Sequence, residues 1–177
     1  MNKIYFDNNA TTPIDPGIRA QVPLWLEEFG NPSSIHWGGR NPKTLIREAR
    51  QKIASFVGGD PLELVFTSSG SEANNLAIKG VFFEHVAKGG KKRHIIVSRI
   101  EHPSVLKSLE FLKRFGAEVS YIPVQRSGEI DMELYRSYLR EDTLLVSTML
   151  ANNETGTIFP IKKMAGLAHR LGILFHC

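Results

Sequence analysis

Apolar and polar positions along the chain follow two patterns that alternate. Short, nearly continuous apolar runs such as His94–Ser98 are typical of strands buried on both faces of a sheet. Segments such as Pro42–Val57 place apolar residues three or four positions apart, which is typical of helices with one buried face. The pattern predicts further strands at 64–66, 118–123, 144–149 and 173–176, and further helices at 70–86, 103–115, 131–139 and 161–171. This alternation predicts an α/β fold with a mostly parallel sheet flanked by helices.

The N-terminal part predicts a helix followed by a polar loop. Pro13 is well placed to open this helix, which has a second part after Pro23 and stops at Gly30. The loop Asn31–His36 follows, and loops longer than simple connectors often carry functional residues. His36 is therefore either an ordinary surface histidine or part of a site.

The stretch from Leu64 to Gly80 predicts a strand, a hydroxyl-rich turn and a helix. Ser71 and Gly70 lie at the predicted helix start, where free backbone N–H groups and the helix dipole favour an anion. This arrangement predicts a phosphate cradle. The alternative is a simple capped helix, because Ser69 and Glu72 also fit a capping box.

Three polar clusters follow the ends of predicted strands. They are Ser68–Asn74, Glu101–His102 and Asn152–Thr155. Ligands bind beyond the carboxyl ends of strands in parallel sheets, so we expect the three clusters to converge on one pocket at that edge. This convergence favours the cradle over the simple cap.

Composition excludes several classes of protein. The chain has 177 residues, a net charge of +4 and one cysteine, which rules out an internal disulfide framework and a multi-cysteine zinc site. The basic run Lys88–Arg93 is interpreted as a solvated loop, and no basic stripe with aromatic residues indicates a nucleic-acid partner. No long apolar stretch predicts a membrane span, and no apolar leader is visible at the N-terminus. We expect a cytoplasmic protein that holds no metal.

Five motifs carry a resemblance to a known family. They are Tyr5-Phe-Asp-Asn-Asn-Ala-Thr-Thr12, Gly30-Asn-Pro-Ser-Ser34 with His36, Phe66-Thr-Ser-Ser-Gly-Ser-Glu-Ala-Asn-Asn75, Glu101-His-Pro-Ser-Val105 and Ala151-Asn-Asn-Glu-Thr-Gly156. Together they resemble the cysteine desulfurases of the NifS/IscS type, in the class V aminotransferase group of pyridoxal 5'-phosphate (PLP) enzymes. The resemblance spans the whole chain, with the motifs in the family's order.

The resemblance implies a fold, an activity and roles for individual residues. The fold would be part of the large domain of a fold-type I PLP enzyme. That family converts L-cysteine to L-alanine and an enzyme persulfide, serves a sulfur acceptor or iron–sulfur scaffold protein, and acts as a homodimer. By motif, Gly70 and Ser71 would hold the cofactor phosphate, His102 would stack on the cofactor ring and act in catalysis, and Asn153 would bind the phenolic oxygen. Residues on the substrate side would be Asn9, Ala10, Thr11, Asn31 and His36.

The resemblance also implies that important residues lie beyond this chain. The family's aspartate for the pyridine nitrogen, its PLP-binding lysine, its substrate-binding arginine and its persulfide cysteine all come later than Cys177. Residues 1–177 would then be an N-terminal segment plus a partial PLP-binding domain, inactive alone and completed by the missing half or by a complementary chain. Cys177 is expected to be a small buried residue rather than the nucleophile. Lys79 and Lys107 are expected to be surface charges.

Three alternatives stay open. The chain could belong to another class V enzyme, such as a serine or phosphonate aminotransferase or a selenocysteine lyase. It could be a non-catalytic fragment, since it lacks the lysine. A Rossmann dinucleotide-binding protein is disfavoured because Gly70 stands alone where that fold needs G-x-G-x-x-G.

Overall fold

A computed structural model describes residues 4–177 of the chain. The chain divides into two compact units: unit 1 is Met1–Phe66, described from residue 4, and unit 2 is Thr67–Cys177. No helix among the described residues is long and apolar enough to cross a membrane. Within the same residues, no group of three or more His, Cys, Asp or Glu side chains is arranged to hold a metal ion.

Helix α1 of unit 1, Pro16–Leu26, begins three residues later than Pro13 predicts. The Asp15 side chain caps it by accepting from the backbone N–H groups of Gly17 and Ile18. Pro16 then occupies the first helical position, where a missing N–H costs nothing. The predicted start at Pro13 and the end at Gly30 are both wrong, and Pro23 lies inside one continuous helix.

Helix α2, Arg40–Val57, follows a short 3₁₀ turn at Trp37–Gly39. It ends at Gly58, which adopts the left-handed conformation with φ +74°. The predicted helix at Pro42–Val57 is therefore confirmed, with its start two residues earlier.

The strand predicted at Leu64–Phe66 is not formed. Leu64 is extended, with φ −83° and ψ 128°, but no strand among the described residues pairs with this segment. A β-favouring run becomes a strand only when another strand satisfies its backbone N–H and C=O groups. The prediction is wrong for this reason, although the backbone has the expected extended shape.

Unit 2 contains the sheet. Its elements in chain order are α3 Gly70–Ala87, β1 His94–Ser98, α4 Pro103–Lys113, β2 Glu118–Ile122, α5 Met132–Tyr138, β3 Thr143–Ser147, α6 Ile161–Arg170 and β4 Leu174–His176. The strands form one sheet in the order β2-β1-β3-β4, and every neighbouring pair is parallel. The predicted α/β fold with a parallel sheet is confirmed, with each predicted element of unit 2 present within a few residues.

Two apolar layers cover the two faces of this sheet. Ile95 and Val97 of β1 face α3 and α4, while the intervening Ile96 faces α5 and α6. All five residues of β1 are buried, as the continuous apolar run predicts for a central strand covered on both faces. Because the helices cover the faces, the carboxyl edge of the sheet is where loops and polar side chains collect.

Two smaller predictions about unit 2 need correction. The loop Lys88–Arg93 is only partly solvated, because the Arg93 guanidinium is half-buried and donates to the backbone oxygens of Gly90 and Lys92. Cys177 is exposed rather than buried, and it follows the last residue of β4.

Candidate functional site

The start of α3 is capped by a side chain, yet its first two backbone N–H groups have no acceptor among the described residues. Ser69 caps it, accepting the Glu72 N–H at 3.2 Å, while the Glu72 carboxylate accepts from the N–H and hydroxyl of Ser68. In the predicted capping box, the Glu72 carboxylate would accept the backbone N–H of Ser69. In the structure it accepts the N–H of Ser68 instead. These hydrogen bonds from Ser68 lower the pKa of Glu72.

Gly70 and Ser71 are the first two residues of α3. Within residues 4–177 no acceptor binds the N–H of either residue. Gly70 has no conformational need to be glycine, and a Cβ placed there would have no atom within 4 Å. Open space beside two free donors is the arrangement that an anion needs for close approach.

His102 lies at the start of α4, directly after the turn that follows β1. It is the N-cap residue of that helix, and Pro103 follows at the first helical position. The His102 Nδ1 atom accepts the Ser104 N–H at 3.1 Å and lies 2.7 Å from the Ser104 hydroxyl oxygen. The same hydroxyl oxygen accepts from Asn74 of α3 at 2.8 Å, so the two helix starts are joined by side chains.

Ser71 and His102 line one depression of about 320 Å³, so the first two polar clusters do converge. Asn75, Lys79 and Lys107 line it as well. Lys107 is exposed, but Lys79 is half-buried, and its Nζ lies 4.4 Å from the centre of the Phe111 ring. The depression therefore combines free N–H donors, an imidazole and two cationic side chains.

Glu101 and Asn152 tie the second polar cluster to the third. The buried Glu101 carboxylate accepts the Ser98 hydroxyl at 2.6 Å and the Met149 N–H at 2.8 Å. Asn152, also buried, donates to the Ile100 carbonyl at 3.1 Å. Burial raises the pKa of the Glu101 carboxyl, with the two hydrogen bonds acting in the opposite direction. The hydrogen bonds of Glu101 and Asn152 thus hold together the loops that follow β1 and β3.

Asn153, the fourth predicted cofactor-binding residue, is placed differently. Its exposed side-chain amide donates to Glu154 at 3.1 Å, and it does not line the depression of Ser71 and His102. Its backbone position is nonetheless fixed, because the Asn152 side chain accepts the N–H groups of Glu154 and Thr155. The structure brings the Asn153 turn to the loop of His102 through Asn152, not through Asn153 itself.

The predicted substrate-side residues all belong to unit 1. Asn9, Ala10 and Thr11 are exposed in and directly after a turn, and the Ala10 N–H donates to the Asp7 carbonyl. Asn31 accepts the Ser33 N–H at 2.9 Å, and His36 is exposed with its Nδ1 accepting the Gly38 N–H at 3.2 Å. Both side chains shape their own loop, and their other polar atoms have no hydrogen-bond partner within residues 4–177.

Sequence reasoning gave no role to Ser104, Asn74 or the Glu101 side chain. A signal was present for Ser104, because a hydroxyl two residues after an N-cap side chain lies within reach of it. Asn74 offered no local signal, since its partner is 30 residues away.

Comparison with known proteins identifies the family. Residues 4–177 match the class V aminotransferase family. The chain belongs to the class V aminotransferases.

Several similar proteins are cysteine desulfurases or NifS-like proteins. A cysteine desulfurase IscS from Dictyoglomus turgidum is 47% identical over 175 residues, covering 98% of this chain and 44% of that protein. A solved NifS-like protein has a TM-score of 0.91 and 36% identity, covering 99% of this chain and 48% of its own. The solved structure of SspA in complex with cysteine has a TM-score of 0.89 and 38% identity, covering 97% of this chain and 49% of its own. The resemblance to NifS/IscS-type proteins is confirmed, and the chain spans about half the length of these relatives.

Proposed function

We propose that this chain is the N-terminal part of a PLP-dependent cysteine desulfurase. The complete enzyme removes sulfur from L-cysteine, leaving L-alanine and an enzyme persulfide. Support comes from the desulfurase relatives and from the cysteine bound to SspA, a protein of the same fold. The observation that carries the proposal is the open start of α3 beside His102, at the sheet edge where α/β enzymes bind ligands.

The residues present fit the phosphate group of PLP. The free N–H groups of Gly70 and Ser71 and the Ser71 hydroxyl would hold the phosphate oxygens, and the missing Cβ of Gly70 leaves room for them. When bound, PLP supplies an electron sink for the substrate carbon that loses a proton. Lys79 and Lys107 add positive charge near the phosphate.

The remaining site residues keep their proposed roles. His102 would lie against the cofactor ring and would assist proton transfer there by hydrogen bonding to the reacting groups. Asn153 binds the phenolic oxygen once the cofactor and the rest of the chain complete the site. Asn9, Ala10, Thr11, Asn31 and His36 supply the substrate side.

Further features of the complete protein are part of the same proposal. Its residues 1–177 comprise an N-terminal segment and part of the PLP-binding large domain. It forms a homodimer, acts in the cytoplasm, and passes the persulfide sulfur to an acceptor or iron–sulfur scaffold protein. The PLP-binding lysine and the persulfide cysteine belong to the part that follows residue 177, or to a complementary chain. The 177-residue chain alone therefore releases no sulfide from cysteine.

The test is the Ser71→Ala variant of the complete enzyme. Losing one charge-assisted hydrogen bond of roughly 1.5–3 kcal/mol should weaken PLP binding about tenfold to a hundredfold. An equilibrium titration of the cofactor-free enzyme, followed by PLP absorbance, measures the change. Ser71→Thr keeps the hydroxyl and should bind nearly as well as wild type. Ser137→Ala removes an exposed hydroxyl from α5 and serves as the control. Equal affinities for all four proteins would contradict the cradle.

A further inference from the structure

Two hydrogen bonds link helix α3, whose start is the predicted phosphate cradle, to the candidate catalytic residue His102. The Asn74 amide nitrogen lies 2.8 Å from the Ser104 hydroxyl oxygen, which lies 2.7 Å from His102 Nδ1. Asn74 and Ser104 are both half-buried, whereas the His102 ring is exposed to the depression it shares with Ser71. The imidazole is thus held at one nitrogen only.

The chemistry of the donors decides which nitrogen carries the proton. The Ser104 backbone N–H points at His102 Nδ1 from 3.1 Å, and a backbone N–H can only donate. This bond favours a lone pair on Nδ1, but on its own it is long and weak. A proton on Nδ1 would face the Ser104 N–H directly, with two donors opposed.

The Ser104 hydroxyl completes the arrangement. Its oxygen accepts from the Asn74 amide, which leaves its own proton free to donate to Nδ1. Nδ1 then accepts two hydrogen bonds, and in the neutral ring the proton must be on Nε2. In histidines generally, the hydrogen bond at one ring nitrogen sets the state of the other.

We propose that Ser104 and Asn74 are positioning residues that fix His102 as the Nε2–H tautomer and so make Nε2–H the ring's hydrogen-bond donor toward a ligand in the depression. The proposal rests on the proposed function, in which His102 acts beside the cofactor. The chain of hydrogen bonds from Asn74 through Ser104 to His102 begins on α3. Asn74 lies there one helical turn beyond Gly70, the residue proposed to bind the phosphate. The same helix that holds the phosphate thereby sets the orientation of the imidazole.

The experiment observes His102 directly in the complete, cofactor-free enzyme. Histidine is labelled with ¹⁵N, and the His102 signals are assigned as those lost in His102→Gln. Above pH 8, wild type should show a pyridine-type Nδ1 and a pyrrole-type Nε2. Ser104→Ala should move the two ¹⁵N shifts toward each other as the second tautomer becomes populated. Asn74→Ala should move them in the same direction by a smaller amount, and Ser104→Thr should restore them.

Ser108→Ala is the matched control. Ser108 lies one turn further along α4, and its hydroxyl donates to the Ser104 carbonyl without contacting His102, so its loss should leave the His102 shifts unchanged. A pyrrole-type Nδ1 in wild type would overturn the proposal. Unchanged shifts in Ser104→Ala would also overturn it.

Kinetics of the PLP-loaded enzyme provide a second readout. A single hydrogen bond is worth about twofold to tenfold, so Ser104→Ala, which loosens the Nε2–H donor, should lower kcat within that range with little change in KM. Ser104→Thr should recover the rate, whereas equal losses in Ser104→Thr and Ser104→Ala would contradict the positioning role. His102→Gln with wild-type turnover would remove His102 from the proposed function, while the ¹⁵N shifts would still decide the tautomer.

Discussion

Units 1 and 2 differ most in what their apolar side chains contact. In unit 2, helices α3 to α6 cover both faces of the sheet, and two clusters of fully buried apolar residues form its core. In unit 1, Gly39 and Ala54 are the only buried residues among those described. Helix α2 shows the same helical apolar period as the helices of unit 2, yet its Ile53 and Phe56 are 41% and 90% exposed.

This difference teaches that an apolar period predicts a helix but not what the helix packs against. The period is a local property of the sequence, and α2 forms as predicted. Burial depends on other segments, and unit 2 contains its own whereas the described part of unit 1 does not cover α2. Stability should therefore depend strongly on the apolar residues of unit 2 and weakly on those of unit 1.

The largest expected effect separates the two units directly. Leu109 of α4 is fully buried, so Leu109→Ala should destabilise unit 2 by about 2–5 kcal/mol. Leu62 of unit 1 is 91% exposed, so Leu62→Ala should change stability by about 0.5 kcal/mol or less. Urea unfolding of the 177-residue chain, followed by far-UV circular dichroism, measures both. Similar losses in the two variants would show that unit 1 buries Leu62 after all.

The next effect concerns two glycines that begin predicted functional segments. Gly30 directly precedes the loop 31–36, and Gly70 is the first residue of α3. Gly30 has φ +146°, and a Cβ there would overlap the Gly38 carbonyl oxygen, so Gly30→Ala should destabilise its loop by about 1–3 kcal/mol. Gly70→Ala should leave the stability of the PLP-free protein within about 0.5 kcal/mol, because open space surrounds the new methyl group. In the complete enzyme, however, Gly70→Ala should weaken PLP binding.

Tryptophan fluorescence follows Gly30→Ala, because Trp25 and Trp37 both lie in unit 1, whereas far-UV circular dichroism follows Gly70→Ala in unit 2. The Gly30→Ala variant should lose fluorescence-monitored stability, and Gly70→Ala should keep the urea midpoint that circular dichroism gives for wild type. A large loss of PLP-free stability in Gly70→Ala would mean that this glycine serves folding and not the phosphate.

Much of unit 2 could be predicted from sequence because its signals are local. Strand β1 is a continuous apolar run, and the polar residues after it fall at the carboxyl edge by the rule for parallel sheets. Ser71 and His102 do line one depression, but the rule accounts only for His102, because the strand predicted before Ser71 is not formed. The rule could not place the Asn153 side chain, since side-chain orientation within a turn depends on neighbours rather than on the topology.

The wrong predictions and the missed link could not be read from local signals. Each depends on a choice between two local alternatives or on a partner far along the chain. Pro13 and Pro16 could each open a helix, and the Asp15 cap decides for Pro16. Leu64–Phe66 has strand composition but needs another strand to pair with. The link from Asn74 to His102 depends on contacts 30 residues apart.

The smallest effect concerns two carboxylates and their dependence on pH. Glu101 in unit 2 is 7% exposed and binds Ser98 and Met149, while Glu28 in unit 1 is exposed and accepts from Asn41. Burial raises the pKa of Glu101 in the folded protein above its unfolded value. A raised pKa means that the folded state holds this proton more tightly than the unfolded state does. Its contribution to stability is therefore fully present below the unfolded value, about 4.3, and is lost as pH rises through the folded value.

Replacing Glu101 by glutamine should remove this loss. The glutamine amide oxygen can still accept from Ser98 and Met149, but it never ionises, so the Glu101→Gln chain should lose less stability than wild type as pH rises from about 4 toward neutral. Glu28→Gln replaces an exposed carboxylate of unit 1 and serves as the control. Urea midpoints of the three proteins across this range provide the measurement, and taking differences cancels the other titrating groups. Parallel curves of urea midpoint against pH for wild type and Glu101→Gln would show that water reaches the Glu101 carboxylate. The side chain next to His102 in unit 2 would then be as solvated as the exposed side chains of α2 in unit 1.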